Sequence, residues 1–307
     1  IVCDQHPDYQ STRYAEARPL PCVRVQHHHA HTGAVMAEHG LDGPVLSVIL
    51  DGTGYGTDGT VFGGEMYQAD RAGFTRLGRL GHLPLPGGDK AAQEPWRMAL
   101  ALLFTMKHRG QPSKERFPTA LDAIARESKD FLWQMMEKGV NTPQTSSCGR
   151  LFDAVSALLG ICLVSEYEGQ AAMLLEQQAV YATEQECYSR YPVEIIAEDG
   201  MQIVDSAVLG GELLRDLAAG VPIPVIAWRF HCWLAEAIVT VLKTLRQQTG
   251  LSQVVLSGGC MQNKLLFETL VDQLARQGFA VFAGEMVPMN DGGIALGQAF
   301  IGGNPCV

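Results

Sequence analysis

Val45-Leu46-Ser47-Val48-Ile49-Leu50-Asp51-Gly52-Thr53-Gly54-Tyr55-Gly56-Thr57-Asp58-Gly59 decides the fold class. Six residues that are mostly β-branched or aliphatic run without alternation, which predicts a strand buried on both faces. Asp51 ends that strand, and the glycines after it open a turn. Val61–Gln68 reads as a second strand, so the pair forms a hairpin around the glycine run, and Phe74–Leu83 reads as a third. The period then changes from two toward 3.6. Trp96, Ala99, Leu100, Leu103 and Phe104 fall on one helical face behind Pro95, a residue suited to a first turn.

Further helices are expected at Leu121–Ile124, Phe131–Met136, Arg150–Leu163 and Gln170–Tyr181, the last pair parted at Gly169. Phe230, Leu234, Ile238, Val241 and Leu245 recur at steps of three and four and mark a long helix. Gln253–Leu256 is a short strand, Ser257-Gly258-Gly259 a turn and Lys264–Arg276 a helix. Phe279–Phe282 and Gly293–Ile301 close the chain as strand and helix. Strands that end in glycine turns and alternate with helices make an α/β class.

The 307 residues, 47% hydrophobic, are enough for one large domain or two lobes. A net charge of −10 argues against non-specific nucleic-acid binding. The eight cysteines contain no C-x-x-C pair, so a cysteine zinc site is not expected. No secretion signal and no apolar run of membrane-spanning character is read, and a reducing cytoplasm is the expected compartment. The chain starts at Ile1, not Met, and reads as part of a longer polypeptide.

Val25-Gln26-His27-His28-His29-Ala30-His31 is the sharpest chemical feature. On a helix, His27 and His31 stack on one face, and two neutral imidazoles suit zinc or iron. A solvated His cluster has the same composition. Asp51, and Asp291 in Pro288-Met289-Asn290-Asp291-Gly292-Gly293, stand where carboxylates leave a core edge. Two His and two Asp make a mixed site with room for a substrate, although each Asp also fits a plain capping role. Gly52, Thr53 and Gly54 after the strand, and Gly258 and Gly259 before a helix, offer backbone N–H groups to phosphate. Neither stretch is a Walker loop, and as generic turns they are weak signals. Asp153, Gly169 and Asn263 sit where a ribose or a backbone-hugging ligand would meet them. Asp153 equally suits a helix start, and Gly169 an ordinary turn. Lys90 and Arg97 read as surface bases.

Together the runs VQHHHAH (25–31), DGTGYGTDGTVFGGE (51–65), LPLPGGD (83–89), EPWRMA (94–99), SSCGRLFDAVSALLG (146–160), YEGQAA (167–172), LSGGCMQNKLL (256–266) and VPMNDGGIALGQA (287–299), with HPDYQSTRYAE (6–16) ahead of them, resemble the C-terminal domain of HypF-type hydrogenase-maturation carbamoyltransferases, in the same order. That domain is related to TsaD and to antibiotic O-carbamoyltransferases. The resemblance implies a two-lobed ASKHA (actin/hexokinase-like) fold. Its expected parts are a first lobe at 1–90, incomplete at its N-terminal hairpin, a helical insertion at 91–145 and a second lobe at 146–307. It implies one divalent transition metal, iron or zinc, on His27, His31, Asp51 and Asp291. It also implies adenine nucleotide, ATP or AMP, held by Gly52, Thr53, Gly54, Asp153, Gly169, Gly258, Gly259 and Asn263. The implied reaction moves a carbamoyl group from carbamoyl-adenylate, made by a YrdC-like domain of the full-length protein, to the C-terminal cysteine of HypE, toward the cyanide ligands of [NiFe]-hydrogenase. HypF's acylphosphatase-like, zinc-finger and YrdC-like parts are not read in these 307 residues. Rival readings are a TsaD-like tRNA threonylcarbamoyl transferase, a sugar kinase or Hsp70-like ATPase of the same fold, and a non-catalytic nucleotide-binding fragment. The Asp51-Gly52-Thr53 loop, the EPWRMA run and the acidic charge argue against the first. The kinases and ATPases have no need of His27 and His31.

Overall fold

The computed structural model describes residues 1–110, 118–182 and 190–303. Its strands are β1 (Val2–Asp4), β2 (Val23–Val25), β3 (Val45–Tyr55), β4 (Val61–Ala69), β5 (Phe74–Leu80), β6 (Leu83–Pro84), β7 (Gln144–Thr145), β8 (Ile195–Glu198), β9 (Met201–Val204), β10 (Gln253–Ser257) and β11 (Ala280–Ala283). Its helices are α1 (Gln10–Glu16), α2 (His27–His39), α3 (Lys90–Gln93), α4 (Pro95–His108), α5 (Arg126–Lys138), α6 (Cys148–Leu158), α7 (Gln170–Ala179), α8 (Ser206–Ala219), α9 (Ile223–Thr249), α10 (Lys264–Arg276) and α11 (Ile294–Gly302).

One mixed sheet in the order β11-β10-β3-β4-β5-β9-β8 forms the spine, with β7 on β4 and β6 on β7. The expected hairpin is present, β3 running antiparallel to β4, while β10 joins the other side of β3 in parallel. The sheet therefore takes strands from both ends of the chain. β1 and β2 form a separate parallel pair.

Side-chain parity on β3 assigns its two faces, since successive residues point to opposite sides. Leu46, Val48 and Leu50, with Met66, Val254 and Leu256, pack under α4, α6 and α9 in the main core. Val45 and Val255 meet Val35, Met36 and Leu41 of the α2 segment. Ser47 Oγ bonds Thr32 Oγ1 at 2.6 Å on that same side. Both faces are covered, as an unbroken apolar run requires.

Three expectations need correction. The glycine run is not a loop following the strand, because β3 continues through it to Tyr55. Its pairing with β4 slips there: Leu50 faces Gly64, and the next pair is Gly54 with Phe62. Asp51, Gly52 and Thr53 thus oppose Gly63 alone, a bulge that bends the strand and lifts three residues out of the ladder. Second, α9 has the length and apolarity of a membrane-spanning helix by composition, at 27 residues, where no such run was expected. It is instead the central core helix, with Phe230, Trp233, Leu234, Ile238, Val241, Leu242 and Leu245 fully buried. The segment expected as a helix at Leu121–Ile124 is a short 3-10 turn at Thr119–Leu121.

Candidate metal centre and nucleotide cleft

Helix α2 begins at His27. The Gln26 side chain caps it by accepting from the His29 N–H at 2.9 Å, and Gly40 ends it in the left-handed region at φ 62°. Residues His27 to Met36 are all buried, because α2 lies between the sheet and α11. The α2–α11 crossing is close. A Cβ on Gly297 would stand 1.8 Å from the Ala30 carbonyl oxygen, and one on Gly33 would stand 2.7 Å from Ile301. Only glycine permits that approach. Asp291 lies three residues ahead of α11, so the same crossing fixes the last carboxylate against the histidine helix.

Asp51 has the parity of Ser47 and Ile49 and therefore faces α2. His27 Nε2 lies 3.6 Å from Asp51 Oδ2 and 3.4 Å from Asp291 Oδ1. His31 Nε2 lies 3.3 and 3.5 Å from the same two atoms. Four ligand atoms within 4.8 Å of one another come from three elements far apart in the chain. Three of them, His27 Nε2, His31 Nε2 and Asp51 Oδ2, are buried without a hydrogen-bond partner. Buried polar atoms are almost always satisfied, so three orphans aimed at one point fit a cation that supplies the missing partner. The two-nitrogen, two-oxygen donor set suits zinc or iron(II). The Asp291 side chain is 71% exposed and leaves one side open.

The surrounding charges agree. Burial alone would lower the His27 pKa, but the surrounding carboxylates of Asp291, Asp4 and Asp51 outweigh it and push it up to about 12. His31 is raised by Asp291 and Asp51 against the effect of its burial. Burial would raise Asp51, yet His27 and His31 hold it well below the usual carboxylate range, and Asp291 is lowered by the same two rings. His28 differs: fully buried, it falls to about 3 and stays neutral. Its Nε2 is 3.8 Å from Asp51 Oδ2, and its Nδ1 is 3.3 Å from the Tyr67 hydroxyl. Gly54 leaves it room, since a Cβ there would stand 2.4 Å from the ring.

The remaining Asp51 oxygen, Oδ1, accepts from the Gly52 N–H at 2.8 Å and the Gly259 N–H at 3.2 Å. This bond ties the two glycine segments together beside the cluster. Gly258 has φ 99°, and a Cβ there would strike the Leu50 carbonyl at 2.3 Å, so it serves the contact between β10 and β3. Gly52 has open space before it, with Glu168 Oε1 the nearest atom at 3.9 Å, and a Cβ on Gly149 would lie 2.9 Å from the Gly52 Cα. Thr53 is exposed. Gly169 caps α7 at φ 76° with nothing within 4 Å of its Cβ position. Asp153 is buried 2.6 Å from Arg150 Nε, without an aligned hydrogen bond on either atom. Burial outweighs Arg150 and lifts its pKa to about 6. Asn263 is engaged at both ends: Oδ1 accepts from the Leu266 N–H at 2.9 Å, and Nδ2 donates to His231 Nε2 at 3.0 Å. Arg97 pairs with Glu94 and reaches the Pro86 carbonyl at 3.3 Å, a local brace.

Asp4 and Ser257 complete the setting and were not among the residues singled out from sequence. Asp4 is a carboxylate ending a buried strand, the same signal that marked Asp51.

A family model described as "Carbamoyltransferase, Kae1-like Domain, second subdomain" matches residues 47–298, and one described as "HypF Kae1-like domain" matches residues 1–38. Carbamoyltransferase HypF2 of Cupriavidus necator is 39% identical over 98% of this chain, which spans 39% of that protein. A carbamoyltransferase HypF homolog from the same organism is 39% identical, and here the chain covers 77% of the relative. A crystal structure of full-length HypF in a phosphate- and nucleotide-bound form superposes with TM-score 0.90 at 37% identity, over 98% of this chain and 46% of that one. HypF of T. kodakarensis superposes with TM-score 0.84 at 30% identity, over 98% and 40%.

Proposed function

The chain belongs to the HypF carbamoyltransferase family and has its ASKHA-type fold, and on that premise we propose that it carries the transfer step: carbamoyl from carbamoyl-adenylate to the C-terminal cysteine thiolate of HypE, on the way to the cyanide ligands of [NiFe]-hydrogenase. The observation that carries this reading is the convergence of His27 Nε2, His31 Nε2 and Asp51 Oδ2, buried and unpartnered, next to an open glycine-lined cleft. An iron or zinc ion held by His27, His31, Asp51 and Asp291 would act as a Lewis acid on the carbamoyl oxygen.

The chain's own residues do the rest. Asp153 accepts from a ribose hydroxyl, with Arg150 at its side to offset the buried charge. The bulge at Asp51–Thr53 and the backbone at Gly169 let the phosphate and carbamoyl groups approach the main chain closely, where N–H groups not already bonded to Asp51 stabilise developing negative charge. The incoming sulfur forms a bond to the carbamoyl carbon, the bond from that carbon to the AMP oxygen breaks, and AMP leaves. The thiolate comes from the partner. Cys260 follows Gly259 beside the cluster, but contact with Cys148 and then burial push its thiol well up, so it stays protonated. A YrdC-like domain of the full-length protein supplies the adenylate.

Supplied with HypE and premade carbamoyl-adenylate, the metal-loaded chain should add a carbamoyl mass to HypE's terminal cysteine. With carbamoyl phosphate and ATP alone it should not. Carbamoylated HypE in the second mixture would show that activation chemistry resides in these 307 residues, and a folded, metal-loaded chain inert in the first would overturn the transfer assignment.

A further inference from the structure

We infer that Asp4 is a positioning residue for the metal: it locks His27 as an Nδ1–H tautomer and strengthens its Nε2 as a ligand. This rests on the metal-centre reading above. Asp4 ends β1, in the small β1–β2 pair outside the main sheet, 23 residues before His27. It is 3% exposed, and a buried carboxylate requires partners on both oxygens. Oδ2 sits 2.8 Å from His27 Nδ1, and Oδ1 accepts the His6 N–H at 2.8 Å. The Thr12 hydroxyl, also buried, donates to the Asp4 carbonyl at 3.2 Å and holds the strand end in place. With both oxygens engaged, the carboxylate has one orientation. Its only role toward His27 is to accept, so the proton stays on Nδ1 and the Nε2 lone pair points to the cluster.

His31 makes a useful contrast. Its Nδ1 lies 3.3 Å from Ser257 Oγ, whose own proton goes to the Met289 carbonyl at 3.0 Å. The hydroxyl therefore accepts from His31 Nδ1–H, setting the same tautomer with a neutral partner. A carboxylate behind an imidazole raises its basicity where a hydroxyl does not, and outer partners of this kind change metal affinity by about 10–100-fold. The two rings are thus unequal ligands, and the stronger one depends on the first residues of the chain.

Zinc affinity of the full chain, measured by competition with a chromophoric chelator, tests this. Asp4→Asn keeps the shape and an acceptor oxygen but loses the charge, and should weaken Zn2+ binding about tenfold. Asp4→Leu removes the acceptor and should approach a hundredfold. Thr12→Val loosens the same strand end but keeps the carboxylate, and should weaken affinity by less than either Asp4 variant. Nitrogen-15 shifts of the zinc-loaded wild type should show a protonated Nδ1 on His27 with a strongly deshielded proton, a readout that needs no variant. Folded Asp4 variants that bind within twofold of wild type would overturn the inference, as would a Thr12→Val loss equal to theirs or an unprotonated His27 Nδ1. If His31→Ala loses the metal while the Asp4 variants keep it, only this inference fails. If His31→Ala also keeps it, the metal centre itself is wrong.

Discussion

The histidine–aspartate cluster and the segment 257–263 lie side by side, joined by the bond from Gly259 to Asp51, yet they dispose of their polar atoms in opposite ways. The cluster leaves three ligand atoms, and His28 Nε2 beside them, buried without partners. The segment leaves almost none: Ser257, Gly258 and Asn263 are bonded to Met289, to His31, to His231 and to the start of α10. A site whose atoms are unsatisfied by the protein depends on a ligand and should lose that ligand abruptly when altered. A site built from satisfied backbone is part of the fold, so altering it costs stability as well as binding.

The largest expected effect follows from the first half of that contrast. His31→Ala and Asp51→Ala should each strip most of the bound metal, while His28→Ala, which removes a neutral ring from the edge of the cluster, should not. Elemental analysis of the three purified variants decides it, and equal metal in all three would dissolve the distinction between ligand and neighbour.

The second effect is on stability, and it belongs to the satisfied half. His231 is buried, donates from Nδ1 to the Ala227 carbonyl at 2.8 Å and accepts at Nε2 from Asn263. Accepting at Nε2 requires the neutral ring, and burial lowers its pKa to about 4. In the unfolded chain a histidine titrates near 6.5. The folded value is the lower one, so the contribution to stability is fully present above pH of about 6.5. It is lost progressively as pH falls toward 4, by roughly 3 kcal/mol for this ring alone. His231→Gln keeps an amide in place of the imidazole and should flatten that acid slope in denaturant titrations at pH 7, 5.5 and 4. An unchanged slope would assign the acid sensitivity elsewhere.

Asn263→Ala comes next. It removes the cap of α10, worth about 1 kcal/mol, and leaves His231 Nε2 buried without a donor, for a further 1–3 kcal/mol or so. We expect a stability loss of about 2–4 kcal/mol together with weaker ATP binding. If calorimetry shows unchanged ATP affinity in the folded variant, Asn263 serves the fold alone, and the segment contributes backbone only.

Much of this was legible in the residues, and the limits have physical causes. Lys264–Arg276 is a helix over the expected span because its apolar period is strong and Asn263 stands ahead of it. The His27/His31 pair sits on a helix as its spacing suggests, and the cluster of four is brought together. The bulge at Asp51–Thr53 was not legible, because a slip in register depends on the partner strand and not on the local run. The β8–β9 hairpin went unassigned even though Asp199-Gly200 at its turn is a short-range signal for one. Asp4 stayed hidden because its meaning lies in a contact 23 residues away. Long-range pairing is what a single sequence carries least.

Gly169→Ala has the smallest expected effect and separates strain from ligand contact. Gly169 adopts φ 76° at the head of α7, and no atom lies within 4 Å of a Cβ built there. A side chain in the left-handed region costs about 1 kcal/mol, so some stability is lost whatever the residue's function. Gly220 supplies the baseline: it ends α8 at φ 73°, also with nothing near its Cβ position, and is assigned no part in the cleft. Gly220→Ala should therefore cost a similar amount and leave ATP binding untouched. If the open space beside Gly169 is where a nucleotide lies, its added methyl group intrudes on the ligand as well, and Gly169→Ala should weaken ATP binding beyond the Gly220→Ala control at matched stability. Equal ATP affinity in the two variants, with equal loss in thermal denaturation, would reduce Gly169 to a helix cap and move the nucleotide away from α7.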